Sequence, residues 1–480
     1  MYPSRIYKYI GTLGICLVVT AGCNVPKPMQ RAENRTVPAG YGPGNGGDTT
    51  NSASLHWRSF FTDPNLVSLI DTALRNNQEL MITLQEIEIA KNEVRARKGA
   101  ILPTVGLKAG AGVEKVGRYT SQGAGDASTE IEPGKEVPDP LGDFSISAVA
   151  NWEVDIWKKL RNAKKAAVSR YLSTIEGKNF VLTNLIAEVA NSYYELLALD
   201  NQLAIVKQNI ELQKNALEIV KVQKEAARTT ELAVKKFEAE VLKSQSLEYD
   251  ILQDIKETEN RINLLLGRYP QDIPRERGNF LAVLPPAVQS GIPSQLLANR
   301  PDIRQAELEL TAAKLDVKVA RAEFYPSFDI SAAVGLQSFN PSYLTRMPES
   351  ILYSLAGELA APLINRNAIK AEFYSANARQ VQAMYNYERT ILTAYLEVAN
   401  QLSGISNLGK SYDLKSQQVD ALTRSIDISN DLFKSARADY FEVLMTQRDA
   451  LEAKLELIET KKQQLNAVVN VYRGLGGGWQ

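Results

Sequence analysis

The amino-acid sequence predicts a mainly α-helical fold that carries two β-hairpins and repeats one unit twice. In each half of the chain, apolar residues at helical spacing stop at a proline, Pro103 or Pro326, and strict alternation of apolar and polar residues follows. Proline ends a helix because it lacks the backbone N–H, and alternation is typical of a strand between two unlike environments. A further observation is that the two prolines, which mark the same change from helical to strand periodicity, lie 223 residues apart (326 minus 103).

Further landmarks recur at similar offsets. Arg161-Asn162-Ala163 is repeated as Arg366-Asn367-Ala368 after 205 residues, and Ala227-Arg228 is repeated as Ala436-Arg437 after 209 residues. Such self-similarity indicates an internal duplication of a helix–hairpin–helix unit.

Residues 1–22 resemble a bacterial lipoprotein signal peptide. Arg5 and Lys8 precede an apolar run that ends at Ala21 and is too short to span a membrane. The resemblance implies cleavage before Cys23, which then carries fatty acids such as palmitate and anchors the chain. The alternative is an ordinary secretory signal with a chance cysteine.

Repeat 1 follows a tether. Residues 23–65 are expected to form this lipid-anchored tether, because the stretch up to about residue 54 is rich in Pro, Gly, Asn and Thr and cannot bury much surface. Repeat 1, residues 66–266, is predicted to contain a helix from about 66 to 100, a β-hairpin over 104–155, a long helix from about 157 to 228 and a return helix. Apolar residues in the long helix alternate steps of three and four, which predicts coiled-coil packing: Leu199, Leu203, Val206, Ile210, Leu217 and Val220.

Repeat 2 has the same order of elements. A proline-rich connection over 267–297 precedes it, and repeat 2 covers 298–473 with a hairpin over 327–360. Residues 474–480 form a glycine-rich tail.

Each predicted strand has one apolar face and a more polar opposite face. Segments of roughly ten to twelve residues with this pattern fit tilted strands that cross a bilayer, and the alternative is a soluble sandwich hairpin. Open strand edges are not tolerated in lipid, so several chains must complete one barrel, and three chains give twelve strands. The apolar faces comprise Val105, Leu107, Ala109, Ala111 and Val113, then Phe144, Ile146, Ala148, Ala150 and Trp152, then Phe328, Ile330, Ala332, Val334 and Leu336, then Tyr353, Leu355 and Leu359.

The sequence shows no sign of catalytic or cofactor chemistry. It contains no nucleophile elbow, HExxH, Walker or Rossmann motif, and Lys plus Arg and Asp plus Glu number 55 each, so no basic excess favours nucleic acid. Cys16 and Cys23 both lie near the start and His56 is the only histidine. An enzyme, a metal site and any other cofactor are therefore not expected.

Two motifs resemble a known family. Residues 292–307, which include Asn299-Arg300-Pro301-Asp302-Ile303-Arg304, and the ending Leu475-Gly476-Gly477-Gly478-Trp479 look like TolC-like outer-membrane factors of the lipoprotein efflux branch. The resemblance implies a homotrimer with a twelve-stranded outer-membrane barrel and a long periplasmic α-helical tunnel. It also implies the exit duct of an efflux pump, joined through a periplasmic adaptor protein to an inner-membrane pump of the resistance-nodulation-division type.

The resemblance also implies a gate at the periplasmic helix tips. Adaptor docking is expected at Ala227, Arg228, Thr229, Thr230, Ala436 and Tyr440, and the gate is expected at Phe441, Glu442, Met445, Arg437 and Asp439. Three copies of Glu442 would repel one another and favour cations at the mouth. Relatives often have Leu-Asp-Ala-Gln-Arg where this chain has Leu444-Met445-Thr446-Gln447-Arg448, so one acidic ring is missing and a less cation-selective gate is expected.

Two other functions fit part of the pattern. Among transport functions, the second candidate is a type I secretion duct for polypeptides. The lipoprotein signal and the Pro301-Asp302-Ile303-Arg304 motif favour small-molecule efflux over it. The alternative outside transport is a lipid-anchored coiled-coil scaffold that never forms a pore. Hairpins with one lipid-compatible face argue against the scaffold.

Overall fold

A computed structural model gives the fold of most of the chain. It describes residues 26–28, 31–41, 49–278, 280–362, 364, 366–435 and 437–480. The signal segment, Cys23 and Ala436 lie outside the described residues. The chain divides into two compact units, of which one contains residues 89–171 and 308–384 and the other contains residues 33–88, 172–307 and 385–480.

Helices dominate both repeats, and their lengths match between the copies. The long helices α5 and α9 contain 67 and 68 residues, and the return helices α6 and α10 contain 35 residues each. Among the described residues, no helix combines the length and the apolar character that a membrane crossing needs. The helices are α1 (Trp57–Phe60), α2 (Pro64–Asn76), α3 (Gln78–Gly99), α4 (Ser121–Asp126), α5 (Lys159–Glu225), α6 (Glu231–Leu265), α7 (Leu296–Asn299), α8 (Pro301–Ala322), α9 (Asn367–Lys434) and α10 (Tyr440–Gly474).

The hairpins of the two repeats join in one antiparallel sheet. Its strands are β1 (Thr104–Glu114), β4 (Leu141–Glu153), β5 (Ser327–Ser338) and β6 (Ile351–Ala360), in that spatial order, so β1 and β6 form its edges. The short strands β2 (Glu130–Glu132) and β3 (Lys135–Glu136) pair separately within the first loop.

The register of this sheet confirms the predicted faces. Leu107 pairs with Ala148, Ala148 with Val334, and Val334 with Tyr353, so the apolar positions of all four strands share one face. On that face Leu107 is 85% exposed and Leu355 is 79% exposed. A contiguous exposed apolar face of this size needs a membrane or a partner to cover it.

The first helix of repeat 1 is not continuous, so the prediction of one helix over 66–100 is wrong. The helix breaks at Asn77, whose backbone is extended. The Asn77 side chain accepts a hydrogen bond from the Leu80 N–H (3.0 Å) and donates one to the Leu265 carbonyl (3.0 Å). Asparagine competes with the helix by such local bonds, and helical periodicity alone does not reveal that break.

Parts of the segment 23–65, which is expected to be a tether that buries little surface, pack against the rest of the chain through aromatic side chains, whereas most side chains over 31–40 are exposed. Tyr41 is buried and stacks on Tyr395 at 5.7 Å between ring centroids, and Arg35 forms an ion pair with Glu307 (2.8 Å). Three further aromatic side chains, at positions 57, 60 and 61, belong to the largest apolar core. The average composition of the segment concealed these few anchoring side chains.

The two motifs that carried the family resemblance contact each other. The Arg300 guanidinium is buried, and it bonds to Asp302 (2.7 Å), to Glu397 (2.9 Å) and to the Gly474 carbonyl (3.0 Å). The Trp479 indole N–H donates to the Asn299 carbonyl (3.1 Å). The motifs therefore fasten the C-terminal tail to the start of repeat 2.

Candidate functional site

The turn between α5 and α6 is closed by backbone bonds that are typical of a helix C-terminus. The Arg228 N–H donates to the Gln223 carbonyl (2.8 Å) and the Ala227 N–H donates to the Lys224 carbonyl (2.9 Å), which is the Schellman pattern. Ala227 takes the left-handed conformation with φ of 57°. The Thr230 hydroxyl then accepts a hydrogen bond from the Ala233 N–H (3.3 Å) and caps α6.

The turn between α9 and α10 has the same construction. The Arg437 N–H donates to the Leu432 carbonyl (2.9 Å), as Arg228 does to Gln223. The Asp439 carboxylate caps α10 by accepting hydrogen bonds from the N–H groups of Phe441 (2.7 Å) and Glu442 (3.0 Å). The sequence offset of 209 residues therefore corresponds to equivalent capping positions.

One ion pair spans the first turn. Lys224 bonds to Glu231 across the turn, and this hydrogen bond lowers the pKa of the Glu231 carboxyl. The two ends of the turn therefore carry compensating charges at neutral pH.

Apolar side chains join the two helical hairpins near their turns. We define the tip cluster by its buried members, which are Leu217, Val220, Ala233, Val234, Phe237, Val241 and Leu444. Phe433 and Tyr440 of the second hairpin pack against it. The Lys236 ammonium lies 5.1 Å from the Phe441 ring centroid and adds a cation–π contact between the hairpins.

The predicted gate residues lie in different environments. Phe441 is 46% exposed and Glu442 is exposed beside it at the first turn of α10, where the helix dipole favours a negative charge. Met445 is half-buried. Asp439 caps its own helix, whereas Arg437 is exposed and forms no ion pair with any residue that the structure describes.

The predicted docking residues lie mostly on the surface of the two turns. Ala227, Arg228 and Thr230 are exposed and Thr229 is half-buried. Tyr440 differs because its side chain is partly buried against the tip cluster. Tyr440 therefore contributes both to the packing between the two hairpins and to the surface of the second turn.

Buried polar side chains separate the tip cluster from the main core, and sequence reasoning missed them. We define the polar layer as Gln213, Ser244 and Gln447, which are 1%, 2% and 4% exposed. Both amide atoms of Gln213 and the amide oxygen of Gln447 lack hydrogen-bond partners among the described residues. The signal was present in the sequence, since the heptad series of the long helix skips from Ile210 to Leu217 and Gln213 occupies the omitted position.

The polar layer divides two separate apolar clusters. Along α5, Ile210 belongs to the main core, Gln213 to the polar layer and Leu217 to the tip cluster. The same order occurs along α10, where Leu444 lies in the tip cluster and Leu451 in the main core. The tip cluster is therefore not continuous with the main core.

The part of the chain that the structure describes contains no group of three or more His, Cys, Asp and Glu side chains placed to hold a metal ion. The tips combine capped turns, an apolar junction and exposed charges. This arrangement can bind a protein partner or line an opening.

Comparison with known proteins identifies a family and its fold. The model of the outer membrane efflux protein family matches residues 69–268 and 292–477. The pyoverdine export outer membrane protein OpmQ of Pseudomonas aeruginosa is 28% identical over 98% of this chain and 97% of its own. The probable outer membrane lipoprotein SilC of Salmonella typhimurium is 26% identical over 95% of this chain and 93% of its own.

A solved structure has the same fold. The crystal structure of a membrane protein from Pseudomonas aeruginosa superposes with a TM-score of 0.81 and 25% identity, and it covers 94% of this chain and 100% of that chain.

Proposed function

The chain belongs to the outer membrane efflux protein family, and we propose that it forms the exit duct of a tripartite efflux pump that carries small molecules across the outer membrane. The observation that carries this proposal is the four-stranded sheet, whose single apolar face is exposed while the opposite face is more polar. Such a sheet suits a wall between lipid and an aqueous channel. OpmQ, named for pyoverdine export, supports transport as the class of function.

Three copies of the chain are proposed to build the duct. Strands β1 and β6 are edges in one chain, and open edges are not stable in lipid. Three copies of four strands close a barrel of twelve strands in which every edge is paired. Closure of the open edges supports an oligomer of this kind, and the number of three copies comes from the family resemblance.

The helix tips are proposed to be the gate and the adaptor-docking surface. Phe441, Glu442 and Met445 would line the narrowest opening, and the exposed Arg437 would pair with a neighbouring copy when the duct is closed. A periplasmic adaptor protein would bind the turns around Arg228 and Tyr440 and favour the open arrangement. The inner-membrane pump supplies the energy, and the duct carries out no catalytic step.

Cys23 is proposed as the site of lipid attachment. The description of SilC as a probable outer membrane lipoprotein supports this proposal for a related chain. An acyl chain on Cys23 would hold the N-terminus at the periplasm-facing leaflet. Mass spectrometry of the purified protein checks this by the mass of its N-terminal peptide.

Single-channel conductance of the purified protein in planar bilayers, measured together with its oligomeric mass, tests the proposed function. We expect a trimer with small, mostly closed currents. A monomer or dimer without conductance would contradict the duct and favour a non-pore scaffold.

Replacing the proposed gate carboxylate tests the gate separately. The change Glu442→Ala is expected to reduce cation selectivity and alter conductance, because three negative charges leave the mouth. The change Glu238→Ala, which removes a carboxylate from the first hairpin, is the control and is expected to leave selectivity unchanged. Identical conductance and selectivity for Glu442→Ala and the unmodified trimer would exclude the acidic gate.

A further inference from the structure

A run of basic residues follows the end of β4. Between Ile156 and Tyr171 the chain carries six cations and no carboxylate: Lys158, Lys159, Arg161, Lys164, Lys165 and Arg170. Repeat 2 does not reproduce this run. At the offset of 205 residues, Lys164 corresponds to Ile369, and only Arg366 and Lys370 are basic before Glu372. The duplication alone therefore does not account for the cluster.

A cavity of about 590 Å³ lies beside this basic run. Its apolar wall is formed by Ile101, Val168 and Leu315, and its basic rim by Arg161, Lys164 and Lys165. The volume is in the range of pockets that hold small ligands, roughly 300–1,000 Å³. An apolar wall with a cationic rim is complementary to an anionic amphiphile.

The charges on the rim differ in their availability. The Arg161 side chain is bonded to the Asp155 carboxylate (3.1 Å) and to the Asp155 carbonyl (2.9 Å). Lys164 and Lys165, in contrast, form no ion pair with any carboxylate in the described ranges of the chain. These two ammonium groups are therefore the ones that can receive an external anion.

The cavity lies next to the apolar face of the sheet. Trp152, on that face, donates its indole N–H to the carbonyl of Ile101 (3.0 Å), which forms part of the cavity wall. Close by in the chain, Trp157 donates to the Pro326 carbonyl (2.8 Å) and stacks on Tyr325 at 4.8 Å between ring centroids. Tryptophan and tyrosine concentrate where a membrane protein passes from hydrocarbon to headgroups.

We propose that this cavity binds an anionic phospholipid of the periplasm-facing leaflet, with its phosphate on Lys164 and Lys165 and one acyl chain against Ile101, Val168 and Leu315. The inference rests on the proposed outer-membrane location of the sheet. A free phosphate ion would use the lysines but leave the apolar wall uncovered. A zwitterionic headgroup brings an ammonium group that Lys164 and Lys165 repel, whereas Lys159, Arg161 and Arg170 are already paired with carboxylates.

Native mass spectrometry of the full-length, delipidated protein tests this site. Phosphatidylglycerol is compared with phosphatidylethanolamine of the same acyl chains, and we expect preferential binding of phosphatidylglycerol, up to one molecule per chain. Juxtamembrane lysines contribute about fivefold each to the binding of anionic lipid, so Lys164→Gln with Lys165→Gln is expected to weaken binding by about 25-fold.

Matched variants separate the site from general surface charge. Lys164→Arg with Lys165→Arg keeps the charge and is expected to retain binding. Val168→Trp fills the apolar wall without changing charge and is expected to weaken binding, with the oligomeric mass in the same spectrum reporting correct folding. Lys214→Gln with Lys221→Gln, at exposed positions on the same helix, is expected to bind as the unmodified protein does.

Three outcomes would overturn the lipid site. These are equal binding of the two lipids, no effect of the Lys164 and Lys165 substitutions to glutamine, and displacement of the lipid by glycerol 3-phosphate, which would indicate a site for soluble phosphates. Conductance measured on the same preparation distinguishes a failure of the lipid site from a failure of the proposed duct. A conducting trimer that does not bind phosphatidylglycerol would refute the lipid site and leave the duct intact.

Discussion

The fold buries the charged side chain of Arg300 and compensates its charge with two carboxylates. Burial opposes its charged form, but the hydrogen bonds to Asp302 and Glu397 outweigh this effect and raise the pKa of the guanidinium. A third bond goes to the Gly474 carbonyl at the end of α10. Since guanidinium presents several donors in a fixed plane, one arginine can join the start of α8 to α9 and α10.

We expect Arg300→Met to destabilise the protein by about 1–3 kcal/mol, because the change removes the donor from the buried Gly474 carbonyl and from the partly buried Asp302. Arg300→Lys is expected to recover only part of this loss, since an ammonium group cannot reproduce the planar fork. Chemical unfolding of the oligomer, followed by circular dichroism of its helices, measures both effects. The control is Arg97→Met, which removes an exposed pair with Glu93 and is expected to cost no more than about 0.5 kcal/mol. Equal losses for Arg300→Met and Arg97→Met would contradict the role of Arg300.

At the scale of elements, the polar layer weakens the connection between the helical tips and the rest of the coiled coil. An unpartnered buried amide costs about 1–3 kcal/mol, and Gln213 contributes two unpartnered atoms at one heptad position. The tip hairpins are joined to each other by their own apolar cluster, which ends at this layer. We therefore expect the tips to open locally with less cost than the main core.

Replacing a polar residue of the polar layer by an apolar one should stabilise the helical tips against local opening. We expect Gln213→Leu to stabilise the tip cluster by about 1–2 kcal/mol, because leucine continues the heptad series between Ile210 and Leu217. Hydrogen exchange of the backbone over 217–241 would then slow by about tenfold, since 1.4 kcal/mol corresponds to a factor of ten. Gln208→Leu, at an exposed position of the same helix, should leave exchange unchanged. Faster or unaltered exchange in Gln213→Leu would show that the layer is not a weak point.

Neighbouring positions in β6 test which face of the sheet meets lipid. Leu355 lies on the exposed apolar face and Ser354 on the opposite face. We expect Leu355→Arg to lower the stability of the protein folded in lipid vesicles by about 2–4 kcal/mol, the cost of a cation near the bilayer midplane. Ser354→Arg is expected to cost much less, because that side chain faces water. Denaturant titrations in vesicles compare the two variants, and a larger loss for Ser354→Arg would reverse the assignment of the faces.

At the scale of the whole molecule, the duplication pairs strands within one chain, and the proposed oligomer would pair the strands that are left at the edges. The central pair of strands, β4 and β5, joins the two repeats within one chain, whereas β1 and β6 are left at the edges. Strand direction alternates through the sheet, so β6 of one copy would meet β1 of the next in antiparallel fashion. The proposed oligomer would therefore use the same antiparallel pairing between chains that the repeats use within one chain.

Cross-linking through the sheet edges checks this arrangement. A variant with Ala109→Cys in β1 and Leu355→Cys in β6, treated with a short thiol-specific cross-linker, is expected to give species of two and three chains. The control, Ala150→Cys with Ala332→Cys, places both cysteines on directly paired residues within one chain and is expected to give only monomeric products. A double edge variant that stays monomeric after cross-linking in the membrane would argue against closure by neighbouring copies.

The sequence by itself determined the architecture of this protein because its signals are periodic and local. Heptad spacing defined the long helices, alternation defined the strands and the identity of their faces, and the repeated landmarks defined the duplication. The motif around Arg300 and the ending at Trp479 indicated the family, which the family match confirmed. The gate residues stay a prediction.

Only the tertiary structure decided features that depend on contacts between distant residues. It showed that Asn77 breaks the first helix by bonding to Leu265, and that aromatic side chains anchor the expected tether. It also separated the tip cluster from the main core at Gln213 and placed the basic run beside an apolar cavity. Periodicity reports which face of an element is apolar, but the partner that covers this face is set by how the distant elements pack.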